Sequence, residues 1–334
     1  MKKLFILLII SLLLSSNIEA HPGIGIVKNS KGEIFYSDLS QVWKVSNGGK
    51  TKTVIVPNVH THELHLDSKD NLYGEHLWYE GESTNKWGHF AWKYSADGKF
   101  SKEIPNTEGF LSNYSFTRDV DENMYWIERG KIESLLMKKT KTGEVSILQN
   151  FKTIDVRWQF CQKDGTFYYV DDNDLYKIKD KKIGLVAKDL DDVEGNNPLR
   201  KPNHSIYGIC DDKAGNIYVT VYEKREVRKI SPTGKMSIIY KSPLTWHPTG
   251  GVFDENANLW VLENNALNQV RVIRVAKVDL AETVANKSND NSLIFNILHF
   301  FLGICLITLL IKKYRFTKVL NPIISTLFFI FLTY

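Results

Sequence analysis

Six positions along the chain carry side chains suited to metal binding or proton transfer. When the sequence is aligned on a polar turn that recurs in it, these positions open the apolar runs that precede the turns: His21, His60, Ser112, Asp155, His204 and His247. Four of the six are histidine, although the whole chain has only 9 histidines. Neutral imidazoles with a carboxylate suit zinc, with copper or iron as the alternatives. The pattern predicts a transition metal ion held by the four histidines and Asp155.

The repeated histidines also have an interpretation that needs no metal. An imidazole N–H can bond to a backbone carbonyl of the neighbouring repeat, or the rings can form a pH-responsive cluster. A second set of side chains, five residues past the start of each following run, would surround the histidines: Asp38, His76, Glu128, Asp171, Val221 and Glu263. The acids among them could orient metal-bound imidazoles or remain solvated charges. The sequence leaves these alternatives open.

The six positions recur because the chain contains six copies of one unit. The copies start 39 to 52 residues apart, and each contains alternating apolar runs separated by turns. Glycines in the turns supply the positive φ that tight hairpins require. Units of this length with about four strands are propeller blades. We therefore expect an all-β fold, a six-bladed β-propeller over residues 21–278. No fourth strand is evident in the last unit, so the sequence does not predict how the ring closes.

The segments that flank the repeats have the composition of export and anchoring signals. Residues 1–20 have a basic start and an apolar centre, as a secretory signal peptide does. Residues 279–292 form a polar linker, and residues 293–311 are uncharged and long enough to be a transmembrane helix. The basic link at 312–318 is predicted to be cytoplasmic, and 319–334 to be a second transmembrane or re-entrant segment. The propeller is therefore expected in the periplasm or outside the cell, on a transmembrane helical hairpin.

Charge and cysteine content narrow the choice of partners. Residues 21–286 contain equal numbers of acidic and basic residues, so nothing in the charge balance favours nucleic acid. Cys161 and Cys210 occupy equivalent places in adjacent units. A disulfide between them would need an oxidising compartment and close strands, and buried free thiols are the expected state. The aromatic-rich insertion at 76–88 is either a lid over one end of the propeller or a packed ornament.

Two segments resemble a known repeat family. GGVFDENANLWVLENNALNQVRVI and YGICDDKAGNIYVTVYEKREVRKISPTGK are similar to NHL repeats, in which Gly, apolar residues, Asp and a turn with Asn precede an apolar strand. Among NHL-type propellers, the histidine pattern is most similar to peptidylglycine amidating lyase, whose inner strands begin with histidines that hold zinc on the axis. More distantly, the chain resembles the SMP-30, gluconolactonase and regucalcin group, but it lacks that group's Glu-Gly-Pro opening.

The resemblance to the lyase implies which residues form the site. Its zinc ligands would correspond to residues chosen from His21, His60, His204 and His247. Tyr207 and Arg157 are candidates for its catalytic Tyr and Arg by nearness alone. The predicted function is that of a metal-dependent lyase or hydrolase acting on a small molecule or peptide. The alternative is a non-enzymatic NHL-type module that binds a peptide, glycan or protein partner near the membrane.

His21 becomes the first residue of the mature chain if the signal peptide is cut after Ala20. Its α-amine, with an ordinary pKa of about 7.7–8.0, could then hold one ion together with its imidazole. A further imidazole from His60 or His247 would complete a set that favours copper. The alternative is that His21 is a repeat residue that merely follows the cleavage point.

Overall fold

The repeats fold into antiparallel sheets that follow one another along the chain. The structure is a computed structural model, and it describes residues 23–130, 133–152, 156–171, 173–191, 205–212 and 214–277. The predicted signal peptide, the predicted linker at 279–292, the basic link at 312–318 and both predicted membrane segments lie outside these residues. Within the described ranges, no helix is long and apolar enough to cross a membrane.

Six sheets, here called blades one to six, account for the strands of the described residues. Blade one contains β1 (Ile26–Lys28), β2 (Ile34–Ser37), β3 (Gln41–Ser46) and β4 (Thr51–Pro57). Blade two contains β5 (Leu64–Leu66), β6 (Leu72–Tyr79), β7 (Trp87–Tyr94) and β8 (Phe100–Glu108). Blade three contains β9 (Met124–Arg129), β10 (Glu133–Lys139) and β11 (Val145–Lys152). Blade four contains β12 (Val156–Cys161), β13 (Phe167–Asp171), β14 (Asp174–Lys179) and β15 (Lys182–Ala187). Blade five contains β16 (Ile206–Asp211), β17 (Ile217–Val221), β18 (Glu226–Ile230) and β19 (Met236–Lys241). Blade six contains β20 (Trp246–Phe253), β21 (Leu259–Asn265) and β22 (Val270–Val275). The predicted six-bladed β-propeller is confirmed.

Blade three departs from the predicted pattern at its inner edge. The sequence predicts a strand from Ser112, but residues 112–118, all of which the structure describes, contribute only a single bridge between Arg118 and Met124. The Ser115 hydroxyl accepts the backbone N–H of Thr117 at 3.0 Å. Such local side-chain bonds compete with the strand ladder, and the inner edge of blade three is irregular for that reason.

A polar turn joins the first and second strands of each blade. In blade three, the carboxylate of Asp119 accepts the backbone N–H groups of Asp121 and Asn123 at 3.0 and 2.9 Å. It also accepts the Asn123 amide and the Tyr125 hydroxyl, both at 2.7 Å. Blades two, five and six repeat this arrangement with Asp67, Asp212 and Asp254. The turn that the sequence alignment used is therefore a hydrogen-bonded unit that fixes the hairpin.

Apolar side chains from adjacent blades pack face to face. Between blades one and two, the fully buried Val42 and Trp92 lie in a cluster with Leu64 and Leu72. Equivalent clusters join blades three and four, four and five, five and six, and six and one. The alternating apolar positions of the strands lie at these interfaces, and burying them between blades stabilises the propeller.

The ring closes by contact between whole blades. Blade six has three strands in the described residues, and every sheet there consists of strands that are consecutive in sequence. Ile26 of blade one packs with Trp260 and Leu262 of blade six. The Thr249 hydroxyl of blade six donates to the Gly23 carbonyl at 2.9 Å. Within the described ranges, the two ends of the propeller are thus joined by packing and hydrogen bonds and share no strand.

Glycines allow the inner strands to approach each other closely. A Cβ on Gly208 would lie 2.6 Å from the backbone oxygen of Thr249, and one on Gly250 would lie 2.6 Å from that of Ile24. No side chain fits at such distances. The first strands of blades five and six are therefore in close backbone contact at these glycines, and so are the first strand of blade six and the start of blade one.

Cys161, Cys210 and the insertion at 76–88 lie within the described residues. Cys161 and Cys210 are free and belong to the blade three–four and five–six interfaces, so the expected free thiols are confirmed. Burial raises the pKa of Cys161 to about 12. The insertion lengthens the β6–β7 hairpin: Tyr79 pairs with Trp87 as a continuation of the ladder.

Candidate functional site

The structure describes part of the predicted site. His60, His247 and Tyr207 lie in the described residues, whereas His21, Asp155 and His204 lie outside them. Arg157 is described only as a position in β12. The predicted axial metal set can therefore be compared with the structure at two of its five members.

A buried glutamate holds the start of the inner strand in blade two. Glu75 lies in β6 and is 6% exposed. Its Oε1 accepts the backbone N–H of His62 at 2.5 Å and that of Glu63 at 3.3 Å. Its backbone carbonyl accepts the Trp92 indole N–H at 2.9 Å and the Thr61 hydroxyl at 2.5 Å. These bonds fix the carboxylate beside the segment that leads into β5.

The other carboxylate oxygen of Glu75 is unusual. Oε2 is buried and has no hydrogen-bond partner in the described part of the chain. The imidazole of His62 is near, with its Nδ1 3.6 Å from Oε1. A buried carboxylate oxygen without a donor is costly, so this atom marks a place where a further group can bind favourably.

Two histidines beside Glu75 are held in the neutral state. Burial, followed by the nearby His62, lowers the pKa of His60. Burial, followed by the charge of Lys102, lowers the pKa of His76. The backbone N–H of His60 donates to His76 Nδ1 at 3.0 Å, so neutral His76 carries its proton on Nε2. Both imidazoles are therefore uncharged near neutral pH.

Glu63 is the last member of this group, and its pKa is raised where those of the histidines are lowered. The residue keeps some solvent exposure. Even so, burial of its carboxyl group, followed by the charge of Glu75, raises its pKa to about 7. The rings of His60 and His62 are in edge-to-face contact, with centroids 4.7 Å apart. A carboxyl group that keeps its proton near neutrality thus lies beside Glu75 and His62, and perturbed carboxyl groups of this kind are typical of acid–base sites. We call His60, His62, Glu63, Glu75 and His76 the blade-two cluster.

His247 makes the contact expected of a structural histidine. Its Nδ1 lies 2.9 Å from the backbone carbonyl of Tyr222 in blade five, to which a protonated Nδ1 donates. Its ring stacks on the Tyr222 ring with centroids 4.4 Å apart. The same bond fixes the tautomer and leaves Nε2 as the atom with a lone pair, which is how metal-binding histidines are commonly oriented.

Tyr207 lies in a row of aromatic rings. It is 5% exposed, and its ring centroid is 4.7 Å from that of Trp158 and 5.0 Å from that of Tyr222. Trp158 has a φ of 46°, a conformation that bulky residues rarely adopt, and it lies where the ladder shifts register between Arg157 and Gln159. The catalytic roles of Tyr207 and Arg157 stay predictions.

The described residues alone do not fit a transition metal. Across the described ranges, no three His, Cys, Asp or Glu side chains converge closely enough to hold an ion. His60 belongs to the blade-two cluster, whereas His247 contacts Tyr222 of blade five. A metal at the axis would therefore need donors from His21, Asp155 and His204.

Sequence reasoning named His60 as a candidate metal ligand and placed His76 among the side chains around the histidines, but it passed over His62, Glu63 and Glu75. The signal was present, because HTHE at 60–63 places three ionisable side chains within four residues. The alignment used only the first residue of each unit and so passed over His62 and Glu63. Glu75 could not be singled out, since it lies one residue before the aligned position held by His76.

Comparisons with known proteins agree with the fold. An auxiliary nutrient binding protein from Bacteroides thetaiotaomicron VPI-5482 is similar with a TM-score of 0.53 and 10% identity, over 75% of this chain and 68% of that one. A protein of unknown function from the same organism is similar with a TM-score of 0.50 and 14% identity, over 75% of this chain and 68% of that one. A calcium-binding regucalcin from Agrobacterium tumefaciens str. C58 has a TM-score of 0.48 and 15% identity, over 74% of this chain and 83% of that one. No protein-family model and no curated protein matches the chain. At these identities the likeness establishes the fold alone: the chain is a six-bladed β-propeller.

Proposed function

We propose that this protein is an exported, membrane-anchored β-propeller that performs lyase or hydrolase chemistry by general acid–base catalysis at the blade-two cluster. The observation that carries the proposal is the buried Glu75 carboxylate with its unpartnered oxygen beside Glu63 and neutral histidines. A small molecule or peptide is the substrate class that such a site serves.

Each group has a role that follows from its surroundings. Glu63, with its pKa of about 7, donates its proton to the leaving oxygen or nitrogen. His60 is the base that takes a proton from water or from a carbon beside a carbonyl, because its pKa is lowered and it is neutral. His76 holds its Nδ1 against the backbone of His60 and positions that residue. General acid–base catalysis of this kind contributes about 10²–10⁴-fold in rate.

Turnover by the full-length protein tests the proposal. A panel should include p-nitrophenyl acetate for hydrolysis and a β-hydroxy acid such as malate for elimination. For any substrate turned over, Glu63→Gln and His60→Gln should each lower kcat about 10²-fold or more. Glu144→Gln, in the exposed hairpin of blade three, is the control. Equal kcat in Glu63→Gln and in the control would exclude acid–base catalysis by this cluster.

A metal-dependent form of the same chemistry is the second candidate. The orientation of His247 by the Tyr222 carbonyl favours it, and the remaining donors would be His21, Asp155, His204 and His60. Zinc fits this donor chemistry best, and copper would fit if His21 is the N-terminal residue. Elemental analysis of the full-length protein should give one equivalent of metal, reduced strongly in His247→Ala and His204→Ala but not in His89→Ala. Equal metal content in all three variants would exclude the axial site.

Export and anchoring are tested separately. Mass spectrometry of the mature protein should find an N-terminus at His21, and the protein should stay with membranes after alkaline extraction. An uncleaved N-terminus, or release of the protein by alkali, would contradict this part of the proposal. A protein that binds a peptide or glycan without turnover would instead be the non-enzymatic module.

A further inference from the structure

We propose that Glu75 and Glu63 form a subsite for a primary ammonium group of the substrate. The subsite adds a substrate class, molecules with a primary ammonium group, to the proposed function. It rests on the proposed function only because the bound molecule is called a substrate. Binding of an ammonium group would be observed whether or not the protein turns the molecule over.

The geometry of Glu75 carries this inference. The side chain is more than nine-tenths buried, and its Oε1 is occupied by the backbone N–H groups of His62 and Glu63. Oε2 is equally enclosed but has no donor within the described residues. A carboxylate accepts hydrogen bonds at both oxygens, and leaving one empty in a buried setting costs free energy that a bound donor restores.

The charge around this oxygen favours a cationic donor. Glu63 lies close enough to Glu75 for the charge of one carboxyl to affect the other. His62 is the ionisable side chain that contacts Glu75, with its Nδ1 3.6 Å from Oε1, and Oε2 is left without a donor in the described residues. A bound cation would be attracted by the Glu75 carboxylate, and charge-assisted bonds to it are about twice as strong as neutral ones.

A primary ammonium group fits this setting better than a metal ion. It offers three N–H donors that need acceptors at hydrogen-bond distance, without the short coordination distances that a metal demands. Within the described residues, no three ionisable side chains are arranged to ligate a metal.

A matched pair of small probes tests the subsite. Ethanolamine and ethylene glycol differ in that an ammonium group replaces one hydroxyl. Saturation-transfer NMR on the full-length protein in detergent should show binding of ethanolamine and at least tenfold weaker binding of the glycol. Equal affinity for both probes, or no binding of ethanolamine, would overturn the proposal.

Two glutamine variants separate the subsite from general effects of losing a buried acid. Glu75→Gln keeps an oxygen for the backbone N–H groups of His62 and Glu63, and should weaken ethanolamine binding about tenfold or more. Glu263→Gln is the matched control, because Glu263 is 0% exposed but both its oxygens are engaged, by Tyr240 and Arg271. Circular dichroism should confirm that both variants are folded. Unchanged affinity in folded Glu75→Gln would overturn the subsite, while normal binding without turnover would contradict only the proposed catalysis.

Discussion

Histidines at equivalent places in the repeats have different surroundings. His247 is bonded to the backbone of the neighbouring blade, whereas the pKa of His60 is lowered by burial and by other imidazoles. The sequence could identify both positions, because the repeat alignment is governed by the polar turns. It could not distinguish their surroundings, since these depend on Glu75 reaching from β6 to the segment before β5. A repeated histidine can therefore be a structural contact in one blade and part of an ionisable cluster in another.

The wild type should lose stability as pH rises because Glu63 ionises, and the Glu63→Gln variant should not show this loss. The pKa of Glu63 is about 7 in the folded protein against an ordinary 4.5, so the unfolded chain releases this proton first. The stability contributed by the group is complete below the lower pKa and is lost as pH rises through the higher one. Urea unfolding should show the wild type losing about 2–3 kcal/mol relative to Glu63→Gln between about pH 5 and pH 8. Parallel pH curves for the two proteins would show that the Glu63 carboxyl is not perturbed.

The polar turn is the element on which both the alignment and the hairpins depend. The aspartate versions of the turn join a carboxylate to backbone groups, an asparagine and, in three blades, a tyrosine hydroxyl. The sequence predicted these turns because the Asp and Asn spacing is regular. It did not predict the irregular inner edge of blade three, because the competing bond of Ser115 has no repeated counterpart.

Asp119→Ala should lower the free energy of unfolding by about 2–4 kcal/mol, since four hydrogen bonds to one carboxylate are lost. Burial raises the pKa of Asp119, but bonds from Asn123 and Tyr125 outweigh it, and the net pKa is lowered. The contribution is thus present above the ordinary aspartate pKa and is lost as pH falls through the lowered one, so the effect of the substitution should shrink in acid. Gln162→Ala is the control from blade four, where the side chain bonds to Asp211 instead. Equal losses at both positions, measured by urea unfolding, would contradict this account of the turn.

Gly208→Ala should destabilise the protein by about 1–3 kcal/mol, because the added methyl group would lie against the backbone of Thr249. Gly184→Ala is the matched control in β15, where the nearest atom to an added Cβ is 3.9 Å away on the flexible Lys177. Alanine there should be neutral or slightly stabilising. Thermal unfolding of the two variants compares them, and equal midpoints would show that the inner strands are not closely packed at Gly208.

At the scale of the whole molecule, the count of six blades was predictable and the manner of closure was not. Repeat number and period follow from local turns, which the sequence records directly. Closure depends on how Ile26 meets Trp260 and on the bond from Thr249 to Gly23. These pairs are more than 200 residues apart in sequence, and no local pattern specifies them. No fourth strand is evident in the sequence of the last unit, but this did not indicate how blades six and one meet.

Thr249→Val should weaken the junction between blades six and one. The substitution keeps the side-chain shape but removes the donor to the Gly23 carbonyl, at a cost of about 1–2 kcal/mol. Hydrogen exchange should accelerate in β1 and β20 more than in β12 and β16. Thr142→Val, at an exposed turn, is the control and should leave exchange unchanged. Uniform acceleration over all blades would contradict a local junction.

The three strands that the structure describes in blade six determine at which end of the blade Lys277 lies. An even number of antiparallel strands returns a chain to the end of the blade at which it entered, and an odd number leaves it at the other end. The backbone N–H of Lys277 accordingly donates to Asn258 in the polar turn of blade six, at 3.2 Å. The blade-two cluster lies at the opposite end of its own blade, before β5 and beyond the middle of β6. Any attachment made directly at Lys277 therefore starts beside the polar turn of blade six, so a fluorophore or affinity tag fused there begins at the end of the blades opposite to the one that carries the cluster.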